Sequence, residues 1–217
     1  MAEKQKGLVL SSSQLTDLVT EARARTLELI ADLEDEQLLG PRLKIVNPLL
    51  WEIGHVAWFQ ERWVLRHDGR TPPVRADGDT LWDSAAVPHE IRWDLPLPSR
   101  QGTLEFMAEV VDRVVVRIGS EAPARDLTYF CLLTVFHEDM HTEAITYTRQ
   151  THGYPAPRLG VPSADVRDGG GPLAGDVVIP GGTYQLGGTH DLGFIFDNEK
   201  WAHAVEVASF ALARAPV

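Results

Sequence analysis

Three kinds of feature are scarce in this chain of 217 residues. It has one cysteine, Cys131, so no disulfide can form within the chain and nothing points to an oxidising compartment. No uncharged apolar run approaches the roughly 18 residues that a membrane-spanning helix needs. The first residues include two lysines but lack an apolar core and a cleavage site, so we expect no signal peptide and a cytoplasmic protein.

Basic residues are also few relative to acidic ones. The chain has 20 lysines and arginines against 31 aspartates and glutamates, which gives a formal net charge of −11 at pH 7. This balance argues against nucleic acid or an anionic membrane as a partner, because both bind basic surfaces. With 44% hydrophobic and 24% charged residues, the chain has the composition of a soluble globular protein.

Hydrophobic periodicity predicts four helices in the first two thirds of the chain. Gly40-Pro41 is expected to end the first helix, Asn47 to cap the second before Pro48, and Asp126 to cap the fourth. Four such helices predict an antiparallel four-helix bundle. The predicted helices cover 12–39, 48 to about 68, 103–118 and 127–150.

Two stretches interrupt or follow this helical pattern. Residues 70–100 hold five prolines and no sustained period, so they predict a long connection, for which a lid is one interpretation. Residues 153–176 hold four prolines and six glycines and predict a linker. Beyond it, Pro180-Gly181-Gly182 predicts the turn of a β-hairpin, and residues 203–217 alternate weakly like a further strand.

The motif FHEDMH at 136–141 carries the clearest chemical signal. His137 and His141 are four residues apart, so on a helix they share a face and can reach one metal ion. Met140 and three other residues are assigned to the same face, which predicts that the imidazoles point into the bundle. The three residues that share this face with Met140 are Leu133, Ala144 and Thr148. An ordinary pair of hydrogen-bonded histidines remains the alternative to a metal site.

A third histidine lies in the second predicted helix. His55 shares a face with Trp51, Trp58 and Phe59, and the neighbouring Gly54 allows another helix to approach closely. A lone histidine on an apolar face is commonly a hydrogen-bonded core residue. Three inward imidazoles on two helices instead predict a metal site, with positions left open for substrate and for oxygen or water.

The other candidate residues have simpler interpretations. Glu138 is expected to be structural or to orient a histidine, whereas Glu52 and Glu61 are expected on the polar face of their helix. Cys131 and the tryptophans at 51, 58 and 63 are expected to be packed in the core. The remaining histidines are expected to be solvated at the surface, namely His67, His89, His152, His190 and His203.

Three sequence blocks in this order resemble a known family. They are NPLLWEIGHVAWFQERW (47–63), FHEDMH (136–141) and IPGGTYQLGG…FIFDNEKWAHAVEV…F (179–210). The chain resembles the N-terminal half of EgtB-like nonheme iron sulfoxide synthases. That resemblance implies a mainly α chain, with a DinB-like four-helix bundle over 1–152, a linker over 153–176, and the start of an α+β domain like the formylglycine-generating enzyme over 177–217.

The resemblance also implies chemistry. In the family, three histidines that correspond to His55, His137 and His141 hold Fe(II), and O₂ is a co-substrate. Sulfur or selenium is attached to the imidazole C2 of hercynine. HEDMH, RWDLPLP (92–98) and YTRQTHGYPAP (147–157) resemble the selenoneine synthase (SenA-like) branch, which uses a selenosugar donor. An ergothioneine sulfoxide synthase with a thiol donor is the alternative.

The family takes a catalytic tyrosine from its C-terminal domain, whose pattern continues beyond Val217. No catalytic acid is therefore assigned in this chain. Two other functions remain open at this point. One is a DinB-like thiol-dependent transferase with a divalent metal. The C-terminal segment that contains PGG…FDNE argues against this alternative. The other is a non-catalytic module that metal stabilises.

Overall fold

The computed structural model describes residues 8–120, 124–160 and 173–215. Val9–Gly160 forms one compact unit, and Leu8 with 173–215 belongs to a second. The first unit is helical and the second contains short strands. In the described ranges, no helix has both the length and the apolar character needed to cross a membrane.

The helical unit contains all four helices that the periodicity predicts. Two of the four, α1 and α3, each pack against both α5 and α6 to form the bundle. A π-helical turn at Glu61–Leu65 follows α3 directly, and a short 3₁₀ turn covers His89–Ile91. In the part of the chain that the structure describes, the α-helices are α1 (Ser12–Glu28), α2 (Asp35–Leu39), α3 (Leu49–Gln60), α4 (Gly78–Trp82), α5 (Arg100–Ser120) and α6 (Arg125–Thr151).

The prediction of one unbroken helix over 12–39 is wrong. The chain leaves the helix after Glu28 and turns before α2, although Leu29 and Ile30 stay buried as the periodicity requires. Two arginines from other helices bind the carbonyl groups of this turn. Arg149 donates to the carbonyl of Leu29 at 2.7 Å, and Arg100 donates to that of Ile30 at 3.2 Å. These tertiary hydrogen bonds replace the helical ones.

The predicted caps of the second and fourth helices are also wrong. Pro48, not Asn47, is the N-cap of α3, and Ala124, not Asp126, is that of α6. The Asn47 side chain instead donates to Glu52 at 2.6 Å. The asparagine side chain is therefore used for a local contact with a side chain of α3, which a capping pattern does not reveal.

Residues 70–100 are anchored to the core of the bundle through a short helix. Their helix α4 buries Leu81 and Trp82 against the bundle. The indole of Trp51 donates to the carbonyl of Leu81 at 2.8 Å. Asp79 accepts from the indole of Trp58 at 2.7 Å and from Arg66. The segment is thus fixed to α3 and to the turn that follows it.

A buried polar cluster joins the four helices of the bundle. Arg23 of α1 donates to Glu138 of α6 at 2.8 Å, to the carbonyl of Met107 on α5 at 2.9 Å, and to Gln60 of α3 at 3.2 Å. Thr26 also donates to Glu138 at 2.8 Å. These directional bonds fix how the helices are rotated about their axes.

The second unit is a pair of two-stranded antiparallel sheets. Its strands are β1 (Asp176–Ile179), β2 (Gly182–Leu186), β3 (His203–Val207) and β4 (Phe210–Ala213), with β1 paired to β4 and β2 to β3. The hairpin predicted at Pro180-Gly181-Gly182 is therefore wrong, because β1 and β2 do not pair with each other. Gly181, between β1 and β2, lies where a β-carbon would be 3.0 Å from the backbone nitrogen of Ser209, between β3 and β4. The two connections therefore approach each other closely. The predicted later strand is present as β3 and β4.

Candidate metal centre

Three histidines from two helices of the bundle lie together. Helix α3 contributes His55, and α6 contributes His137 and His141. One ring nitrogen of each lies within 4.8 Å of the others, and the Nε2 atoms of His137 and His141 are 3.2 Å apart. In the described residues, this is the group of His, Cys, Asp and Glu side chains that is arranged to hold a metal ion.

The ring of His55 is oriented by its surroundings. Its Nδ1 lies 2.8 Å from the main-chain carbonyl of Trp82. Because a carbonyl oxygen can only accept, Nδ1 carries the proton and Nε2 keeps its lone pair. The ring stacks on Trp51, with centroids 4.7 Å apart and planes within 10°, and also on Trp58, with centroids 5.8 Å apart.

His141 is oriented by a carboxylate from the facing helix. Its Nδ1 donates to Oε2 of Glu52, a side chain that is 3% exposed. An ionised carboxylate can only accept, so Nε2 of His141 keeps its lone pair when the ring is neutral. The expectation that Glu52 lies on a polar face is wrong. Glu52 and His55 are three residues apart on α3, a spacing that places both on one helix face.

His137 is held differently from the other two. Its ring stacks on Phe59, with centroids 3.6 Å apart and planes within 10°. Its Nδ1 is buried and has no hydrogen-bond partner among the described residues. Packing, not a hydrogen bond at Nδ1, therefore fixes this ring.

The surroundings keep two of the imidazoles neutral. Burial, together with the neighbouring His141, lowers the pKa of His55 to about 4. Burial, with the nearby His141 and His55, also holds the pKa of His137 well below its usual value. Burial would raise the pKa of Glu52, but the hydrogen bonds from His141 and Asn47 and the nearby imidazoles together outweigh burial and hold the pKa below its usual value. Neutral imidazole is the form that binds metal.

This arrangement fits a bound metal ion. His141 presents a lone pair towards Nε2 of His137 at 3.2 Å, a contact that requires a proton or a cation between the two atoms. Two nitrogens bound to one ion at about 2.0–2.1 Å would lie at a comparable separation. A direct hydrogen bond from His137 to His141 is the alternative, and it would still leave Nδ1 of His137 unpaired.

The site lies at an edge of the bundle. His137 and His141 are half-buried, and Met140, predicted to face inward with them, is 50% exposed. That part of the face prediction is wrong, although Ala144 and Thr148 are buried. Exposed Met140 is flanked along α6 by partly exposed Phe136 and Tyr147. An apolar rim thus borders the open side.

The other candidate residues lie outside this cluster. Glu138 binds Arg23 and Thr26, which makes it structural. Glu61, predicted on the polar face, is buried and pairs with Arg66 at 3.0 Å. Cys131 is buried as expected.

The remaining histidines are less solvated than expected. His190 and His203 are exposed, whereas the other three are half-buried. His89, for example, is held against the protein by a hydrogen bond, because its Nε2 lies 2.7 Å from the carbonyl of Val46. The half-buried histidines are His67, His89 and His152.

A comparison with protein families matches residues 18–145 to the DinB superfamily. The chain belongs to the DinB superfamily. The match covers α1 through most of α6 and includes the three histidines. The DinB-like bundle predicted from the sequence is confirmed.

The DinB chain is also similar to three curated proteins named hercynine oxygenase. The protein of Mycolicibacterium smegmatis is 28% identical over 96% of this chain and 49% of its own length. Those of Mycolicibacterium thermoresistibile and Mycobacterium tuberculosis are each 30% identical, over 94% and 95% of this chain and 46% and 49% of their own lengths. The chain therefore spans about half the length of these relatives.

Proposed function

We propose that the chain is the metal-binding part of an EgtB-like enzyme that acts on hercynine. The observation that carries this proposal is the convergence of His55, His137 and His141 at an open edge of the bundle. The similarity to hercynine oxygenases supports it, because it extends over 94–96% of the chain.

Fe(II) is the proposed metal. Imidazole ligands suit iron, zinc and copper alike, so the choice of iron rests on the resemblance to the EgtB-like family and not on the number of ligands. When bound, iron would supply redox chemistry with O₂ and a common point at which both substrates are held. His55 and His141 would bind it through Nε2, since their Nδ1 atoms are already hydrogen-bonded.

The open side of the site is where the substrates would enter. Phe59 stacks on His137, and Trp51 and Trp58 enclose His55, so these aromatic rings exclude water from the closed side. Met140 and Tyr147 on the exposed stretch of α6 are available for contact with substrate.

The proposed product is selenoneine, with a C–Se bond at C2 of the imidazole ring. The motifs HEDMH, RWDLPLP and YTRQTHGYPAP support the selenium branch, in which the donor is a selenosugar. The alternative is an ergothioneine-type reaction with a thiol donor, which the names of the relatives support equally because they specify hercynine and not the chalcogen.

We also propose that 177–217 is the start of a domain like the formylglycine-generating enzyme, and 153–176 the linker to it. The exposed apolar residues of the two-stranded sheets support this, since two-stranded sheets are marginally stable in water. No residue of this chain is assigned as the catalytic acid. The clearest examples of these exposed residues are Val178, Leu186 and Leu212.

Product analysis tests the proposed function. The protein, in the longest form that its gene encodes, is given hercynine, Fe(II), O₂ and either a selenosugar or a thiol donor. Mass spectrometry is expected to detect a C2-selenium product, with O₂ consumed. A sulfur product alone would support the ergothioneine alternative. Tightly bound zinc without O₂ consumption would instead support a DinB-like thiol-dependent transferase. Bound metal with no product from either donor would support a non-catalytic module that metal stabilises.

A further inference from the structure

Glu52 differs from the other buried glutamates of the described chain. Glu138 is paired with Arg23 at 2.8 Å, and Glu61 with Arg66 at 3.0 Å. Glu52 is equally buried, but its hydrogen-bond and ion-pair partners in the described residues are Asn47 and His141. Arg92 interacts with Glu52 electrostatically, but it donates a hydrogen bond to Asn47 and not to the carboxylate. A buried carboxylate without a directly paired cation is costly, so its position calls for an explanation.

Each oxygen of Glu52 has a separate partner. Oε1 accepts from the amide of Asn47 at 2.6 Å, and Oε2 accepts from Nδ1 of His141. The asparagine lies just before α3 and the histidine on α6, so the carboxylate is held from one side and directs its second oxygen to the ring. Because Glu52 is one helical turn from His55, α3 supplies both a ligand and the support for a ligand on the facing helix.

We propose that Glu52 is a positioning residue of the metal centre. It fixes His141 with Nε2 towards the other two histidines, and its negative charge balances part of the charge of a divalent cation. The proposal rests on the metal site proposed above. A carboxylate that accepts the second N–H of a metal-bound histidine commonly changes metal affinity by about 10–100-fold.

The same geometry assigns Asn47 a supporting role. With its amide removed, Oε1 of Glu52 would have no hydrogen-bond partner, and the carboxylate would be free to change rotamer. The loss of metal affinity in Asn47→Ala is therefore expected in the same direction as in the Glu52 variants, but smaller.

Metal binding by the purified chain tests the proposal without any assay of activity. Co(II) is the probe, because its affinity can be measured against a chelator and its visible absorption reports ligand geometry. Glu52→Gln keeps an acceptor oxygen but loses the charge, whereas Glu52→Leu loses both. We expect about a 10-fold weaker Co(II) affinity for Glu52→Gln, about a 100-fold weaker affinity for Glu52→Leu, and shifted visible bands in both.

Glu61→Gln is the matched control, because Glu61 is as buried as Glu52 and directly follows α3 but pairs with Arg66. It is expected to lower thermal stability and to leave both the affinity and the visible bands unchanged. Circular dichroism of each variant establishes that it is folded. If Glu52→Leu does not fold, Glu52→Gln and Asn47→Ala carry the test.

The outcomes separate this proposal from the proposed function. Wild-type affinity and bands in both Glu52 variants, while His141→Ala loses Co(II), would overturn the role of Glu52 and leave the metal site intact. A loss in Glu52→Leu alone would support orientation and overturn the contribution of charge. If the wild-type chain itself binds no Co(II), the metal site fails and this proposal fails with it.

Discussion

The indole of Trp82 lies directly against Gly54, where a β-carbon would be 2.2 Å from the indole Nε1. The same tryptophan offers its main-chain carbonyl to Nδ1 of His55 at 2.8 Å. The absence of a side chain at position 54 therefore lets α4 approach α3 closely enough to orient a candidate metal ligand.

Gly54→Ala is expected to destabilise the protein. The new methyl group would overlap the ring of Trp82, which is fully buried and cannot move aside without displacing α4. Overpacking of this kind costs about 1–3 kcal/mol. Denaturant unfolding of the metal-free protein measures the change.

Gly119→Ala is the matched control for this prediction. Gly119 also lies in a helix, but a β-carbon there would meet nothing within 4 Å. The alanine is expected to stabilise the protein by up to about 1 kcal/mol through helix propensity. If Gly54→Ala behaves like Gly119→Ala, the close approach of Trp82 does not constrain the fold.

Arg23→Met is expected to be among the most destabilising single changes. It leaves Glu138 buried without its cation and removes bonds to Gln60 and to the carbonyl of Met107. Removal of one partner from a buried ion pair costs about 3–5 kcal/mol. The double variant with Glu138→Met is expected to recover part of this loss, as a double-mutant cycle would measure.

A neighbouring ion pair between the same two helices provides the comparison. Arg25 and Asp139 also join α1 to α6, at 2.6 Å, but both side chains are about 40% exposed. Arg25→Met is expected to cost less than about 1 kcal/mol. Equal losses in Arg23→Met and Arg25→Met would show that burial of the Arg23–Glu138 pair is not what makes it important.

The bundle was predictable from the sequence because its helices are long and periodic, but several of their ends were not. The end of α1 depends on Arg100 and Arg149, which bind carbonyls of the turn that follows it from more than 60 residues away in sequence. The start of α3 depends on a contact between Asn47 and Glu52 that competes with capping. The end of α1 leaves no local signal because its partners are distant in sequence, whereas the side chain of Asn47 binds a local partner other than the helix backbone.

The candidate metal site could also be predicted only in part from the sequence. Helical spacing brought His137 and His141 to one face, and the face of His55 added the third residue. The carbonyl of Trp82 could not have been assigned from sequence, since it belongs to a segment without periodicity. Glu52 could have been found, because its spacing from His55 by three residues places it on the same face.

The stability contributed by Asp79 is expected to depend on pH. Its hydrogen bonds to Arg66, with a further one from Trp58, hold the pKa of Asp79 at about 2, below its usual value of 3.8. A carboxyl group with a lowered pKa in the folded state stabilises fully above its unfolded pKa, and this contribution is lost as pH falls from about 4 to about 2. Asp79→Asn removes it at every pH.

Denaturant unfolding between about pH 5 and pH 2.5 checks this. At the higher pH the wild-type protein is expected to have a larger free energy of unfolding than Asp79→Asn. This difference in free energy is expected to become smaller as the pH falls. Asp77→Asn is the control, since Asp77 pairs with Arg75 at an exposed position and does not bind Arg66. A constant difference between wild type and Asp79→Asn over this range would contradict the assigned pKa.

His137→Ala is expected to abolish metal binding and to lower the stability of the metal-free protein. The first effect follows because the remaining two imidazoles would hold an ion weakly, and the second because the ring that packs on Phe59 leaves a cavity. The free energy of unfolding is expected to fall by an amount on the order of 2 kcal/mol. The cost of the cavity is partly offset, because the substitution also removes a buried Nδ1 atom that has no hydrogen-bond partner among the described residues. Elemental analysis and thermal unfolding measure the two effects, with His67→Ala as the control because His67 packs on Phe130 outside the cluster. Full metal content in His137→Ala would remove this residue from the site, whereas loss of metal in both variants would point to a general loss of structure.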